Sequence, residues 1–292
     1  MTPAAIILAV ALLLPPVHAG AGDLRVLASF LPMYLFAHNV AGDTPGVSLE
    51  IMLPPSLGCP HDYALSPGDM RKIAAADLFI ANGQGMEEFL GAPVRKANPR
   101  VRIVETAAGV PTLRGEEGGH AGINPHTWVS PRNAILQVRA IEKALSEAYP
   151  PGAPSFRRNA DGYVAKLTAL VREFEAVAGE MRGRNIVTSH NVFDYFARDL
   201  GLTIVGEIEE TPGQEPSAGE VSKLIRAIRE RKAAAVFREP QSPERLAAMI
   251  AREAGVPLRT LDPVSTGSTA PSTYEDAMRK NLATLIEVLA KR

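Results

Sequence analysis

Cysteine is all but missing. Cys59 is the only one among 292 residues, so no intramolecular disulfide can form and stability must come from packed cores. Free cysteines mostly act as small hydrophobes, and an inert buried thiol is the expected role for Cys59 despite the nearby His61. Aromatic residues make up 5% of the chain, the formal net charge is −1, and no basic stripe with interleaved rings occurs. This excludes the electrostatic footprint of nucleic-acid binding or of an anionic membrane surface. Few rings also argue against a receptor for an organic solute, whose walls want aromatic and arginine side chains. The sequence has no HExxH or comparable metalloprotease motif. One apolar run stands out, Ala4 to Val17, and it is too short to span a bilayer.

That run lies at the extreme N-terminus and is followed by His18-Ala19-Gly20-Ala21-Gly22, small residues suited to signal-peptidase cleavage. The segment before it carries no Lys or Arg, which leaves an uncleaved anchor as the alternative. We expect residues 1–22 to be a signal peptide cleaved near residues 19–22. No cysteine stands there to form a lipobox, so a soluble exported protein is expected. The 46% hydrophobic and 22% charged shares are those of a globular chain, and the length suits about two domains.

Strand and helix patterns alternate. Leu24 to Phe30, Val47 to Leu53, Asp77 to Ala81 and Val101 to Glu105 read as strands, with helices over Pro32 to Val40, from Ser66 onward and over Met86 to Lys96. Ser66-Pro67-Gly68-Asp69 carries an N-cap serine, a first-turn proline and an acidic residue for the helix dipole. Asn82-Gly83-Gln84-Gly85 lacks the dinucleotide fingerprint and reads as a tight turn. Ser130-Pro131 opens a helix to Ala148. After the Pro150-Pro151 break, apolar positions at Val164, Leu167, Leu170, Val171, Phe174 and Val177 mark one helix from Ser155 to Met181, roughly 40 Å long. A second set of strands follows at Ile186 to Ser189, Leu202 to Ile208, Ala233 to Phe237 and Pro257 to Leu261, with helices opened at Ser217, Ser242-Pro243 and Ser272. The expected fold is α/β: two lobes, each a mainly parallel four-stranded sheet flanked by helices, joined by one long rigid helix. The expected limits are 23–153 for the N-terminal lobe, 154–182 for the connecting helix and 183–292 for the C-terminal lobe.

Six histidines are present. His18 leaves with the signal, His38 sits within a helix, and His120 lies in a glycine-rich loop. His61, His126 and His190 stand at strand or loop ends, as does Asp262, where α/β sheets place their ligands. Two such donors per lobe would suit a borderline cation held tetrahedrally in the cleft. Their spacing matches no local zinc signature, so structural histidines remain the ordinary alternative. Trp128 beside His126 is expected to pack under it. Glu207, Glu209 and Glu210 form an acidic run, expected to be a solvated loop, that could shape a cation's approach.

Several motifs share one resemblance. Pro60-His61-Asp62-Tyr63 with Ser66-Pro67-Gly68-Asp69, Asn124-Pro125-His126-Thr127-Trp128-Val129-Ser130-Pro131, and Ser189-His190-Asn191-Val192-Phe193-Asp194-Tyr195-Phe196 resemble the zinc/manganese solute-binding proteins of ABC importers. Glu215-Pro216-Ser217-Ala218, Arg238-Glu239-Pro240-Gln241 and Leu261-Asp262-Pro263 match in the same order. The resemblance implies metal ligands at His61, His126, His190 and Asp262, no catalytic residues and no resident organic cofactor. It further implies a periplasmic protein, expected as a monomer, that delivers Zn2+ to an ABC permease with its cytoplasmic ATPase; a periplasmic metal chaperone would be a further partner. Three nitrogens and one carboxylate favour zinc over manganese, whose sites in this family often carry a glutamate in place of the third histidine. Manganese binding is the alternative. A zinc-dependent hydrolase, with Glu207 or Glu209 as base, is the more distant one. Two departures stand out: the region of Glu116 to His120 holds one histidine where many zinc members have a histidine-rich loop, and the second lobe cannot form the disulfide many of them carry.

Overall fold

The computed structural model describes residues 23–289 apart from 59, 61–62, 88–90, 115–121 and 210–215. The expected signal peptide, Cys59, His61, His120 and Glu210 therefore lie outside the described residues. Among those described, no helix is long and apolar enough to cross a membrane.

Among the described residues, eight strands form two sheets. The first contains β1 (Leu24–Ala28), β2 (Val47–Ile51), β3 (Leu78–Ala81) and β4 (Arg102–Glu105), in the order β2-β1-β3-β4. The second contains β5 (Asn185–Thr188), β6 (Thr203–Glu207), β7 (Val236–Arg238) and β8 (Leu258–Thr260), in the order β6-β5-β7-β8. Every pairing within these two sheets is parallel, and each sheet starts in its middle, steps to one edge and crosses back to the other. The two lobes thus share one topology. Their helices are α1 (Leu31–Ala41), α2 (Pro67–Ala75), α3 (Ala92–Ala97), α4 (Pro131–Ala148), α5 (Ala153–Met181), α6 (Asp194–Leu200), α7 (Ala218–Glu230), α8 (Glu244–Ala254) and α9 (Thr273–Leu289).

Local chemistry explains where many of these helices begin. Ser66 and Ser217 each cap a helix in a reciprocal box, with Asp69 and Glu220 as the returning carboxylates. Ser130 accepts the Asn133 amide at the start of α4, and Gly201 ends α6 in the left-handed region. Two helices differ from the sequence expectation. Of the one expected from Met86, residues 88–90 lie outside the described residues and a helix is described over Ala92–Ala97, while Glu87 is drawn into the preceding turn: its carboxylate accepts the amides of Asn82 and Gly83 and the Ser29 hydroxyl, at 2.7, 2.9 and 2.7 Å. The helix expected to be capped by Ser242 starts one residue later, with Pro243 at its N-cap and no side-chain cap.

Helix α5 buries Phe156, Ala160, Tyr163, Leu167, Leu170, Phe174 and Met181 along one face. One hydrophobic cluster runs from β1, β3, α1 and α4 through α5 into α6 and α9, so the lobes share a core. A smaller cluster around Val187, Ile228, Val236 and Ile250 belongs to the second sheet and its outer helices. Helix α9 packs back on α1 and α5: Tyr274 meets Phe36 edge-on at 5.0 Å, and Tyr163 donates to Glu275 at 3.1 Å.

Candidate metal centre

The four expected donors follow the carboxyl ends of parallel strands: position 61 comes after β2, His126 after β4, His190 directly after β5 and Asp262 just beyond β8. A right-handed βαβ sheet opens its loops at that edge, and two such edges face one another here. The structure brings His126 and His190 together across the seam, rings edge to face with centroids 5.1 Å apart. Both residues are buried.

Hydrogen bonds fix how each ring is turned. Asn124 donates its amide N–H groups to the Asn191 carbonyl (2.7 Å) and the Asp194 carboxylate (2.8 Å), both on the other lobe. Its amide oxygen is thereby left to accept the His126 backbone N–H and ring Nδ1, each at 2.9 Å. An oxygen acceptor on Nδ1 places the proton there and the lone pair on Nε2. His190 is set in the same sense by a carboxylate: Glu239, itself buried, stands 2.8 Å from Nδ1, and Gln241 donates to its second oxygen at 2.6 Å. Rings held this way would ligate a metal through Nε2. Nitrogens about 2.1 Å from a tetrahedral zinc stand about 3.4 Å apart, which puts the ring centroids roughly 5 Å apart. The observed separation fits that geometry.

Asp262 is held by its backbone. Its N–H donates to the Asn281 amide oxygen (2.8 Å), its carbonyl accepts from the same side chain (2.7 Å), and its Oδ1 accepts the Val264 N–H at 2.7 Å. Burial pushes its carboxyl above the usual range; the nearby Glu239 charge adds to this, while the Val264 amide and Lys280 oppose it. Glu239 therefore pairs with His190, and its charge is also felt at Asp262. Position 61 itself is outside the described residues; described residues to either side of it make hydrogen bonds. Gly267 donates to the Pro55 carbonyl at 3.0 Å across the seam, and Tyr63 donates to Asp69 of the α2 capping box at 2.7 Å. Among the described residues, no group of three His, Cys, Asp or Glu could hold a metal ion.

Trp128, expected as packing, is fully buried with its ring 5.3 Å from that of His126, and its indole N–H also donates to the Pro263 carbonyl at 2.7 Å. Glu207 ends β6 and the Glu209 amide donates to the Ser189 carbonyl, so both lie on the chain beside His190. Sequence reasoning gave no role to Asn124 or Glu239. Each stood inside a quoted motif, but its partners lie on other elements and only the fold joins them.

The comparisons agree with this architecture. The zinc-binding lipoprotein AdcA of Streptococcus pneumoniae is 31% identical over 280 residues, covering 90% of this chain and 55% of that protein. The chain thus spans about half the length of that curated relative. The high-affinity zinc uptake system protein ZnuA of Bacillus subtilis is 29% identical over 285 residues, covering 92% of this chain and 88% of that protein. Among solved structures, the solute-binding protein FpvC of Pseudomonas aeruginosa in complex with Mn2+ superposes with a TM-score of 0.83 at 28% identity, covering 92% of this chain and 99% of that one. The family described as zinc-uptake complex component A, periplasmic, matches residues 26–288, and the chain belongs to it.

Proposed function

We propose that the chain captures Zn2+ between its lobes through His61, His126, His190 and Asp262 and hands it to the permease of an ABC importer. The observation that carries this reading is the meeting of the His126 and His190 rings across the seam, each with Nδ1 already engaged. Neutral imidazole nitrogen is a borderline ligand that suits zinc. Because Oδ1 of Asp262 accepts the Val264 amide, ligation falls to Oδ2 and adds one carboxylate donor. The family consists of binding proteins, not enzymes, which removes the hydrolase alternative. The protein works in the periplasm as a monomer, after loss of the signal peptide at residues 1–22, with the permease and its ATPase as partners and a periplasmic metal chaperone as a further one.

Manganese is the second reading, favoured by the Mn2+ complex of the similar FpvC. Competition titration of metal-free protein distinguishes the two. Three nitrogens and one carboxylate should favour zinc by at least about two decades, and His190→Glu should narrow that gap by exchanging a borderline donor for a hard one. Comparable affinities in the wild type would exclude zinc as the preferred cargo. Unchanged zinc affinity in both His126→Ala and His190→Ala would exclude the site.

A further inference from the structure

We propose that Trp128 is a positioning residue for the cargo: its indole N–H, reaching across the seam, holds the Asp262-Pro263-Val264 turn in a strained conformation and so sets where the Asp262 carboxylate stands. The inference rests on the ligand set proposed above. Its starting point is Val264, which is buried and has φ of +61°. A β-branched side chain is a poor occupant of the left-handed region, where glycine or asparagine would be at ease. Such strain persists only where the surroundings over-determine the backbone, and it concentrates at ligand sites.

The surroundings here are few and specific. Asn281 brackets Asp262 from α9, and the Asp262 carboxylate takes the Val264 amide. Those bonds are made within the second lobe and leave the Pro263 carbonyl to be held from outside. Trp128 holds it at 2.7 Å. The indole is itself immobile: it meets Phe30 edge-on at 4.9 Å, and the Trp128 carbonyl accepts the Tyr274 hydroxyl at 2.7 Å. Trp128 also lies in the same short 3-10 turn that follows His126, with the two rings in contact. A ligand from each lobe is therefore tied to the other through protein alone. Movement of the Pro263 carbonyl away from the indole would release the turn and shift the Asp262 carboxylate.

If Trp128 only filled the core, phenylalanine would serve nearly as well for metal binding. If it holds the turn, losing the N–H should weaken zinc about tenfold, the lower end for groups that support metal ligands. The strain gives a second handle. In a Val264→Gly background the positive φ carries no side-chain penalty, so the turn needs no external hold and Trp128→Phe should weaken zinc by no more than about threefold. The experiment is a competition titration of zinc against a chelator, using the metal-free mature chain. It compares wild type, Trp128→Phe, Val264→Gly, the double variant and Asp262→Ala. An unchanged affinity in Trp128→Phe, or an equal loss in both backgrounds, overturns the inference. Weakening in Asp262→Ala without weakening in Trp128→Phe refutes the hold and leaves the ligand set standing. Wild-type affinity in Asp262→Ala refutes the ligand set as well. Should the Phe variant fail to fold, the wild type alone decides, because the chain has one tryptophan and so one indole N–H resonance. That proton should be strongly protected from exchange with and without zinc; exchange at the rate of an exposed indole overturns the proposal.

Discussion

Glu239 offers a sharp test of how the site is supported. It is 2% exposed, places Oε1 2.8 Å from His190 Nδ1 and receives the Gln241 amide on Oε2 at 2.6 Å. A carboxylate on the far nitrogen raises the basicity of the ring and fixes its rotation about the metal axis. Glu239→Gln keeps an oxygen for Nδ1 but removes the charge and turns an N–H toward the Gln241 donor, so one of the two amides must flip. Glu239→Ala removes the orienting contact altogether and leaves a buried gap. Loss of such a support costs about 10–100-fold in metal affinity, equivalent to about 1.4–2.8 kcal/mol. We expect the glutamine variant near the lower bound and the alanine variant near the upper. The assay is a chelator-competition titration of zinc at neutral pH, with thermal unfolding of the metal-free proteins alongside to separate folding from binding. If both variants fold like the wild type and bind zinc within about twofold of it, His190 is not held by Glu239 and the ring geometry has been misread.

Three further outcomes are expected. Imidazole binds metal only when neutral, so zinc affinity should fall at least about tenfold between about pH 7 and pH 5; a flat titration would remove histidine from the ligand set. Metal bound across the seam should raise the unfolding temperature in a concentration-dependent way, by about 2.7 kcal/mol of stability at a hundredfold excess over the dissociation constant, and His190→Ala should abolish most of that shift. Burial pushes the Glu87 carboxyl up to about 7 from its ordinary 4.5, so the fold retains a proton that the unfolded chain releases. Its contribution is full below about pH 4.5 and is lost as pH rises through about 7, a difference on the order of 3 kcal/mol. Urea unfolding of metal-free protein across that range should show the slope in the wild type and not in Glu87→Gln, and equal slopes would refute it.

Much of the architecture could be read directly from the chain because its signals are local. Ser66 with Asp69 and Ser217 with Glu220 announce helix starts three residues apart, and Gly201 announces a stop. The long run of α5 declares itself by its repeating apolar face. What escaped was decided by distant partners. Met86 to Lys96 looks helical by propensity, yet Glu87 is pulled into the Asn82-Gly83 turn by donors that include Ser29, which follows β1 and is remote in sequence. Tertiary hydrogen bonding outweighed propensity there, as it does wherever a buried carboxylate finds several donors. Asn124 and Glu239 were likewise visible as letters in a motif, but their roles required knowing which ring each would face. A single sequence gives strand ends and so identifies candidate donors; it does not give the acceptors that turn them.

The placement of those acceptors bears on how cargo can enter and leave. Seam contacts join the lobes at many points: Tyr195 accepts the Leu113 amide and donates to the Asn124 carbonyl, Ser130 donates to Asp199, and Gly267 reaches Pro55. Beneath them the cluster through α5 and α9 is continuous from one sheet to the other. A hinge opening wide enough to release a cation would break several of these hydrogen bonds at about 1 kcal/mol each, and would expose apolar surface at about 25 cal/mol per Å². Turning His190 away from Glu239, or letting the Pro263 carbonyl slip from the indole, breaks one supporting contact at about 1–3 kcal/mol and leaves the shared core closed. On the proposed ligand set, cation exchange would proceed by local release of individual ligands from their supports, with the lobes still docked. Substitutions at the residues that turn the proposed ligands, such as Glu239 and Trp128, should therefore change the rate of zinc release as well as its affinity, and stopped-flow release to a chelator would measure it.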